Sequence, residues 1–292
     1  MSTPAYPATS VMPSRSAVPD DVAWWARYAP MIVLTVACSV AVGADELPAD
    51  TNQIKSLTVE QAKHLIASNA WRNLSLNGLA AVTCDVAKVL AQHQGDHLHL
   101  DGLTTLSDEA AKALAQHKGP CLHLNGLTTL SDEAAKSLSQ HKRICLNLNG
   151  LTTLSDKAAA ALGQHQGLLL NLDGLTTLSD EGAKVLSQHK GRLSTDGLTS
   201  LTNAELAAKL AQKSVLRLNG LTTLTDEVAK ALAQHKGGLD LDGLTTLSDE
   251  AAKALAHHEG LLDLSGLHTL SEAAAKALRA NPDIYLPRKF EQ

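Results

Sequence analysis

Apolar and polar positions follow one short pattern that repeats along most of the chain, from about residue 56 to residue 286. A representative unit, 122–136, reads Leu-His-Leu-Asn-Gly-Leu-Thr-Thr-Leu-Ser-Asp-Glu-Ala-Ala-Lys. Its glycine recurs at intervals of 24 residues four times and then of 23 residues four times. A fixed period of this length is typical of architectures built from stacked supersecondary units. The glycines occupy positions 78, 102, 126, 150, 174, 197, 220, 243 and 266.

Within each unit the spacing of leucines and alanines predicts one strand and one helix. Leu-x-Leu has a period of two, so both leucines face inward and the middle residue faces out. Asn-Gly or Asp-Gly then predicts a turn, with glycine relieving the steric limit on backbone angles. A helix of about eleven residues follows, with Ala110, Ala111 and Leu114 as inward positions in one unit. One unit cannot bury its leucines alone, so we expect about ten stacked units with their strands in a single parallel sheet.

A serine or threonine precedes the helix in all ten units and is predicted as its N-cap. Acidic residues after it suit the helix dipole, and Asp108 with Lys112, like Asp249 with Lys253, is spaced for an i,i+4 ion pair. His-Lys-Gly or a variant closes each helix, with glycine as the C-cap. The predicted N-caps are Thr58, Thr83, Ser107, Ser131, Ser155, Ser179, Thr202, Thr225, Ser248 and Ser271.

The unit around Gly197 departs from the pattern. Thr195 replaces the second strand leucine, and the segment after Thr202 has one extra residue, which we interpret as helical. The same unit marks the change from 24-residue to 23-residue spacing. We expect a small break in the curvature of the stack there.

These repeats resemble the leucine-rich-repeat family, and the short bacterial surface-protein class in particular. The resemblance implies an α/β fold, a right-handed solenoid with a parallel β-sheet on the concave face and helices on the convex face. It places the solenoid at 58–281, after an N-terminal cap at 45–57 and before a capping strand and tail at 282–292. One departure is that Leu127 stands where the family usually carries its asparagine ladder, while Asn or Asp sits two residues earlier.

The N-terminal segment is predicted to direct export. Residues 28–44 are uncharged, and their apolar part, 31–42, is too short for a comfortable membrane span. Small residues at 42–44 fit a cleavage site, so we predict a signal peptide at 1–44 and a secreted, periplasmic or cell-envelope protein. The alternative is an uncleaved membrane anchor with Trp24 and Trp25 at the interface. Cys38 lies in a poor lipobox.

Composition limits the classes of function. Aromatic residues make up only 2% of the chain, so the core must consist of Leu, Ala and Val. The net charge is −5 and no basic stripe exists, which argues against a nucleic-acid partner. The four cysteines form no CxxC pair, and no motif of the common hydrolase, metalloprotease or nucleotide-binding classes is present. We therefore expect no enzymatic activity and no cofactor, and His257-His258-Glu259 is interpreted as a helix end.

The outward residue between the two strand leucines differs from unit to unit, whereas the scaffold positions barely change. Family members meet ligands at this position, so the resemblance implies binding to a protein or envelope ligand on the concave face. The alternative is an ordinary solvated strand surface, and a purely structural envelope protein is the alternative function. The column comprises Ser75, His99, His123, Asn147, Asn171, Ser194, Arg217, Asp240 and Asp263.

Two other columns have both a chemical and a structural interpretation. Histidines at the helix ends suit a metal ladder or a pH switch, but packed helices lie about 8–10 Å apart, which favours a structural role. Asn or Asp before each glycine suits calcium, but amides are as common as acids there, which favours turns. The histidines are His93, His117, His141, His165, His189, His235 and His258.

Cys121 and Cys145 occupy equivalent places before adjacent strands. Export would permit a disulfide between them, and their predicted separation falls within the usual range. In-register parallel strands are nevertheless an awkward geometry for a bridge, so both states remain open. Cys84 is predicted to be a free thiol at a helix start.

Overall fold

The computed structural model describes residues 47–67 and 72–290. The segment Leu47–Gln292 forms one compact unit. The predicted signal peptide at 1–44 lies outside the described residues. None of the described helices combines the length and the apolar character that a membrane crossing requires.

Strands and helices alternate through the described part of the chain, flanked by 3₁₀ turns at Thr51–Gln53 and Arg288–Phe290. The strands are β1 (Asn73–Ser75), β2 (His97–His99), β3 (Cys121–His123), β4 (Cys145–Asn147), β5 (Leu169–Asn171), β6 (Arg192–Ser194), β7 (Val215–Arg217), β8 (Gly238–Asp240), β9 (Leu262–Asp263) and β10 (Ile284–Tyr285). The helices are α1 (Val59–Ala67), α2 (Cys84–Leu90), α3 (Asp108–Leu114), α4 (Asp132–Leu138), α5 (Asp156–Gly163), α6 (Asp180–Ser187), α7 (Ala204–Leu210), α8 (Asp226–Leu232), α9 (Asp249–Leu255) and α10 (Glu272–Arg279).

Neighbouring strands are parallel, and each pairs with the equivalent residues of the next unit. Leu98 lies opposite Leu122, and Leu122 lies opposite Leu146. This register makes the described chain a solenoid of stacked strand–helix repeats with an α/β architecture, as the sequence predicted. Because strands lie about 4.8 Å apart and packed helices 8–10 Å apart, the stack is shorter on its strand side, which is therefore the inner side.

The core is one continuous row of aliphatic side chains, with the same set contributed by every unit. In the unit after β3, Leu124, Leu127 and Leu138 are fully buried. Ala134 and Ala135 are also fully buried, and their small side chains let α4 lie close to the strands. The core is one strand and one helix thick, which explains why so few aromatic residues suffice.

Nine of the ten predicted N-caps are confirmed. The Ser131 hydroxyl, for example, accepts a hydrogen bond from the Ala134 amide at 3.0 Å. The prediction for Thr202 is wrong, because Asn203 caps α7 and accepts from the Leu206 amide at 2.9 Å. The extra residue of this unit therefore lies before the cap and not in the helix.

The helices are shorter than predicted, at seven to nine residues instead of about eleven. After the inward leucine the backbone hydrogen bonds change from the α-helical i→i+4 pattern to i→i+3. The amides of Gln116 and His117 bond the carbonyls of Ala113 and Leu114, three residues earlier. Tight i→i+3 bonds of this kind end an α-helix.

The glycines are required for space and not, as predicted, for backbone freedom. Among the described glycines only Gly260 has a positive φ, at 131°. A Cβ on Gly102 would lie 2.0 Å from the carbonyl oxygen of Asn77 in the preceding unit. A Cβ on Gly119 would lie 2.2 Å from the carbonyl oxygen of Gly95 and 2.6 Å from the His117 ring. These glycines let successive units approach each other closely.

The acidic residues at the helix starts also have partners that the sequence did not reveal. Lys253 pairs with Glu250 at 2.7 Å, an i,i+3 contact, so the predicted pairing with Asp249 is wrong. Asp249 instead accepts a hydrogen bond from the Ser271 hydroxyl of the next unit. We call this series the cap ladder, since each hydroxyl bonds the acidic residue at the start of the preceding helix, and all of them except Thr202 also cap their own helix. Its donors are Ser131, Ser155, Ser179, Thr202, Ser248 and Ser271.

The strands form two sheets instead of the single sheet that we predicted, β1–β6 and β7–β10. The interruption falls in the deviating unit. Lys213 stands ten residues after its cap, where His189 stands after Ser179 in the preceding unit. Its ammonium group lies 2.5 Å from Asp196 Oδ1 and 2.7 Å from Ser194 Oγ. The helices still pack in sequence across this point, α6 on α7 and α7 on α8, so only the strand pairing is broken.

Candidate functional site

The structure places the outward column of the strands on one surface, which we call the strand face. Ser75 lies opposite His99, and His99 lies opposite His123. The register continues through the first sheet and again through the second. The predicted binding residues are therefore brought together in two rows: His99, His123, Asn147 and Asn171 in the first sheet, and Arg217, Asp240 and Asp263 in the second.

In the first sheet these side chains contact one another directly. The rings of His99 and His123 stack with centroids 4.0 Å apart. His123 Nδ1 lies 2.9 Å from the Asn147 side-chain nitrogen. The side-chain amide of Asn171 donates to Asn147 Oδ1. The row is thus a chain of mutually bonded polar groups whose rotamers are largely fixed before anything binds.

His97 joins this row, although sequence reasoning did not single it out. Its Nδ1 atom lies 2.9 Å from His123 Nε2 in the next strand. One nitrogen from each of His97, His99 and His123 lies within 4.8 Å of the others. The His97-Leu98-His99 alternation was the available signal, because it puts two histidines on one face of a strand. We call these three residues the histidine cluster.

The histidine cluster is neutral at its centre. The pKa of His123 is lowered to about 4, chiefly by desolvation on burial and next by the neighbouring His99. Asp101 opposes this effect, and its Oδ2 atom lies 3.4 Å from His99 Nδ1. Near pH 7 the His123 ring is therefore uncharged, with a lone pair on one of its nitrogens.

The second sheet ends in carboxylates and an aromatic ring. Asp240 lies opposite Asp263, and Asp263 lies opposite Tyr285 of the last strand. Burial raises the pKa of nearby Asp242, and the charges of Asp240 and Asp263 raise it further. Tyr285 is 60% exposed and was overlooked in the sequence because its unit lacks the glycine. The strand face therefore changes along its length from imidazole and amide groups to negative charge.

The histidines at the helix ends form a separate buried row, the histidine stack. The rings from His93 to His189, and those of His235 and His258, lie nearly parallel with centroids 5.7–6.3 Å apart, closer than the 8–10 Å expected between the helices that carry them. Among the described residues, no three of these rings bring their nitrogens together as a metal site requires. His235 Nδ1 lies 2.9 Å from the carbonyl oxygen of Ala211 at the preceding helix end, which supports the structural interpretation.

The Asn and Asp residues before the glycines connect successive units. Asn77 Oδ1 accepts from the Asp101 amide at 3.0 Å, and Asp101 Oδ1 accepts from the Asn125 amide at 2.9 Å. We call this series, which continues to Asp196, the turn ladder. Because each side-chain oxygen already bonds an amide of the next unit, the geometry favours turns over calcium binding.

The cysteines lie beside the histidine cluster. Cys121 and Cys145 are opposite each other in β3 and β4 and are joined by a disulfide, with Cα atoms 4.6 Å apart. The Asn147 side-chain nitrogen lies 3.8 Å from Cys145 Sγ. Cys84 is a free cysteine at the start of α2.

On the side of the helix ends, an open cleft of about 550 Å³ lies between the units of α4, α5 and α6. Gln140, Lys142, Gln188 and Lys190 contribute to its lining. The hydroxyl of Ser139, also in the lining, donates to the Lys136 carbonyl at 2.8 Å. The groups around this cleft resemble an ordinary polar surface more than a catalytic site.

Several solved structures are similar to this chain. They include the yeast Rad7–Elc1 complex, with 15% identity over 91% of this chain and 93% of the other and a TM-score of 0.33. An internalin from Listeria monocytogenes has 13% identity over 84% and 99%, with a TM-score of 0.32. A leucine-rich-repeat protein of Leptospira interrogans has 16% identity over 82% and 96%, with a TM-score of 0.27. These scores are low, and the architecture is assigned from the strand register.

No protein-family model matches the sequence, and no curated protein matches it.

Proposed function

We propose that this protein is a non-enzymatic scaffold that binds a protein partner across its strand face. The observation that carries the proposal is the contrast between surfaces. The helical side repeats nearly the same residues in every unit, whereas the strand face changes from histidine to asparagine to aspartate. A row of different side chains held in fixed register can distinguish one extended partner from another.

The strand face has physical properties that suit such binding. Its central side chains are already paired, so little conformational entropy is lost when a partner docks. At the far end the carboxylates of Asp240 and Asp263 lie beside exposed Tyr285. Tyrosine is a common energetic anchor at interfaces. We infer that the partner presents Lys or Arg side chains to this end.

The alternative function, a purely structural protein that stacks end to end, receives less support. Both ends of the repeat array are covered. At the start, the Thr51 hydroxyl donates to the Ser75 carbonyl at 2.5 Å and Asn52 Oδ1 accepts from the Asn77 amide at 3.3 Å. At the other end, Lys289 donates to the His268 carbonyl at 2.7 Å. Covered ends limit growth by the addition of further copies.

The proposal is tested by crosslinking and pull-down from envelope and medium fractions of the source organism. We expect Asp240→Lys with Asp263→Lys to lose the partner that the unaltered protein captures, because the substitutions reverse charge on the strand face. Glu109→Lys with Glu181→Lys changes the net charge equally on exposed helix positions and should retain the partner.

Capture that is equal for the two double variants would contradict the proposal, provided that circular dichroism shows both to be folded. The fractionation also tests export, which we propose from residues 1–44. The mature N-terminus of the recovered protein distinguishes a cleaved signal peptide from an anchor.

A further inference from the structure

We propose that the histidine cluster is a binding site for a late first-row divalent metal ion, with Zn²⁺ as the ion that suits it best. The site comprises His97 and His99 of β2 and His123 of β3, on the strand face. It is distinct from the histidine stack, which lies at the helix ends.

The three donors converge on one point. Ligand nitrogens of His97, His99 and His123 lie within 4.8 Å of one another, and the closest pair is 2.9 Å apart. Zn–N bonds of about 2.0–2.1 Å in a tetrahedral site require nitrogens about 3.3 Å apart. Ring rotations that move a nitrogen by about 1–1.5 Å are therefore enough to close the site around an ion. Strand pairing fixes the backbone positions from which these rings extend.

The chemistry of the donors favours the ion. Neutral imidazole suits Zn²⁺, Cu²⁺ and Ni²⁺, whereas Ca²⁺ and Mg²⁺ prefer oxygen. His97 Nδ1 and His123 Nε2 share one hydrogen in a 2.9 Å hydrogen bond, so both nitrogens are already directed at the space between the two rings. An ion takes the position of that hydrogen, and the His123 proton moves through solvent to Nδ1. Because the Asn147 nitrogen faces His123 Nδ1, its side-chain amide must turn over so that its oxygen accepts from the new N–H, which gives up the bond from Asn171. No net proton is released from a ring that is neutral beforehand.

The neighbours of the cluster resemble the outer shell of known metal sites. The Asp101 carboxylate lies 3.4 Å from His99 Nδ1, where it can hold the ring in one tautomer. A carboxylate behind a ligating histidine orients the ring and raises its basicity. The three histidines are each partly exposed, so a fourth position remains open for water or for a donor from a bound partner.

A second set of donors shares His123 and provides the competing hypothesis. Sγ of Cys121, Sγ of Cys145 and a nitrogen of His123 also lie within 4.8 Å of one another. The disulfide between the cysteines removes both thiolates as ligands. With the disulfide formed, the three-histidine set binds the ion; with the cysteines reduced, the Cys₂His set would compete for it.

The test is isothermal titration of the oxidised protein with Zn²⁺ near pH 7.5, with Co²⁺ absorption as a second readout. We expect one ion per chain and the visible bands of a tetrahedral Co²⁺ site. His99→Ala and His123→Ala should each weaken binding at least about 100-fold. Asp101→Asn should weaken it about 10-fold. That variant retains the turn ladder, because an asparagine oxygen serves the same purpose at Asn77 and Asn125.

Two controls make the result decisive. His257→Ala removes an exposed histidine outside the cluster and should leave affinity and stoichiometry unchanged. Cys121→Ser with Cys145→Ser should retain binding if the histidines are the ligands. The proposal is overturned if no ion binds, or if His99→Ala binds the ion as tightly as the unaltered protein. It is also overturned if the double cysteine variant loses binding.

Discussion

At the scale of single residues, the short distance between the backbones of successive units decides which side chains are tolerated. The sequence predicted the inward leucines and most caps correctly, because period and capping chemistry are local properties. It misjudged the glycines, because the atom that excludes a larger side chain belongs to the preceding unit. At Gly102 that atom is the carbonyl oxygen of Asn77, 25 residues earlier.

We therefore expect Gly102→Ala to destabilise the protein by about 1–3 kcal/mol, because the added methyl group overlaps a carbonyl oxygen. Gly238→Ala is the matched control, since the nearest atom to its added carbon is Val215 Cγ1 at 3.8 Å. The control should be neutral or slightly stabilising, since it restricts the unfolded chain. Urea denaturation monitored by circular dichroism measures both free energies of unfolding. Equal losses in the two variants would show that unit spacing is not the reason for the glycine.

At the scale of elements, seven of the ten described helices end in an imidazole of the histidine stack. The pKa of His117 is lowered to about 3 and those of His141 and His165 to about 4, chiefly by desolvation on burial and next by neighbouring histidines. The sequence predicted the column but could not predict its burial or its spacing, since both depend on how closely helix ends approach.

The stack should make stability depend on pH. Between about pH 6.5 and pH 4 the unfolded chain binds protons at His117, His141 and His165 that the folded chain excludes. The free energy of unfolding then falls as pH falls, by about 1.4 kcal/mol per pH unit for each such histidine. Stability is fully present above about pH 6.5 and is lost through this window. Urea titrations at several pH values measure the slope.

Replacing one histidine of the stack separates its contribution to the pH dependence of stability from that of the carboxylates. His141→Leu should reduce the slope by about 1.4 kcal/mol per pH unit, because unfolding then takes up one proton fewer. His257→Ala, at an exposed position, should leave the slope unchanged. An unaltered slope in His141→Leu would show that the stack does not set the acid sensitivity.

At the scale of the whole molecule, four sets of contacts connect unit to unit: strand pairing, the turn ladder, the cap ladder and the histidine stack. In the unit of Asn203 and Lys213 the strand pairing, the turn ladder and the stack are all interrupted. Sequence reasoning located this unit from its altered spacing but placed the cap one residue early. It also missed the histidine cluster, since His97 meets His123 only after folding brings β2 beside β3.

We expect local stability to be lowest at this interruption. The amides of Leu148 and Leu172 bond carbonyls of the next strand at 2.9 and 2.8 Å. β6 and β7 do not pair with each other, so the amides of Thr195 and Val215, which would bond across this gap, should exchange with deuterium faster than those two. Hydrogen exchange followed by mass spectrometry or NMR checks this. Uniform protection along the array would contradict it.

The repeated junctions between the 24-residue units also determine how such a chain can change length. Because each unit of 24 residues meets its neighbours through the same glycine, cap and leucine contacts, a whole unit such as 150–173 can be duplicated without a new kind of contact. Each added copy would lengthen the inner surface by about 4.8 Å and insert one more variable side chain. The number of units therefore sets the length of partner that the strand face can span, in steps of one repeat.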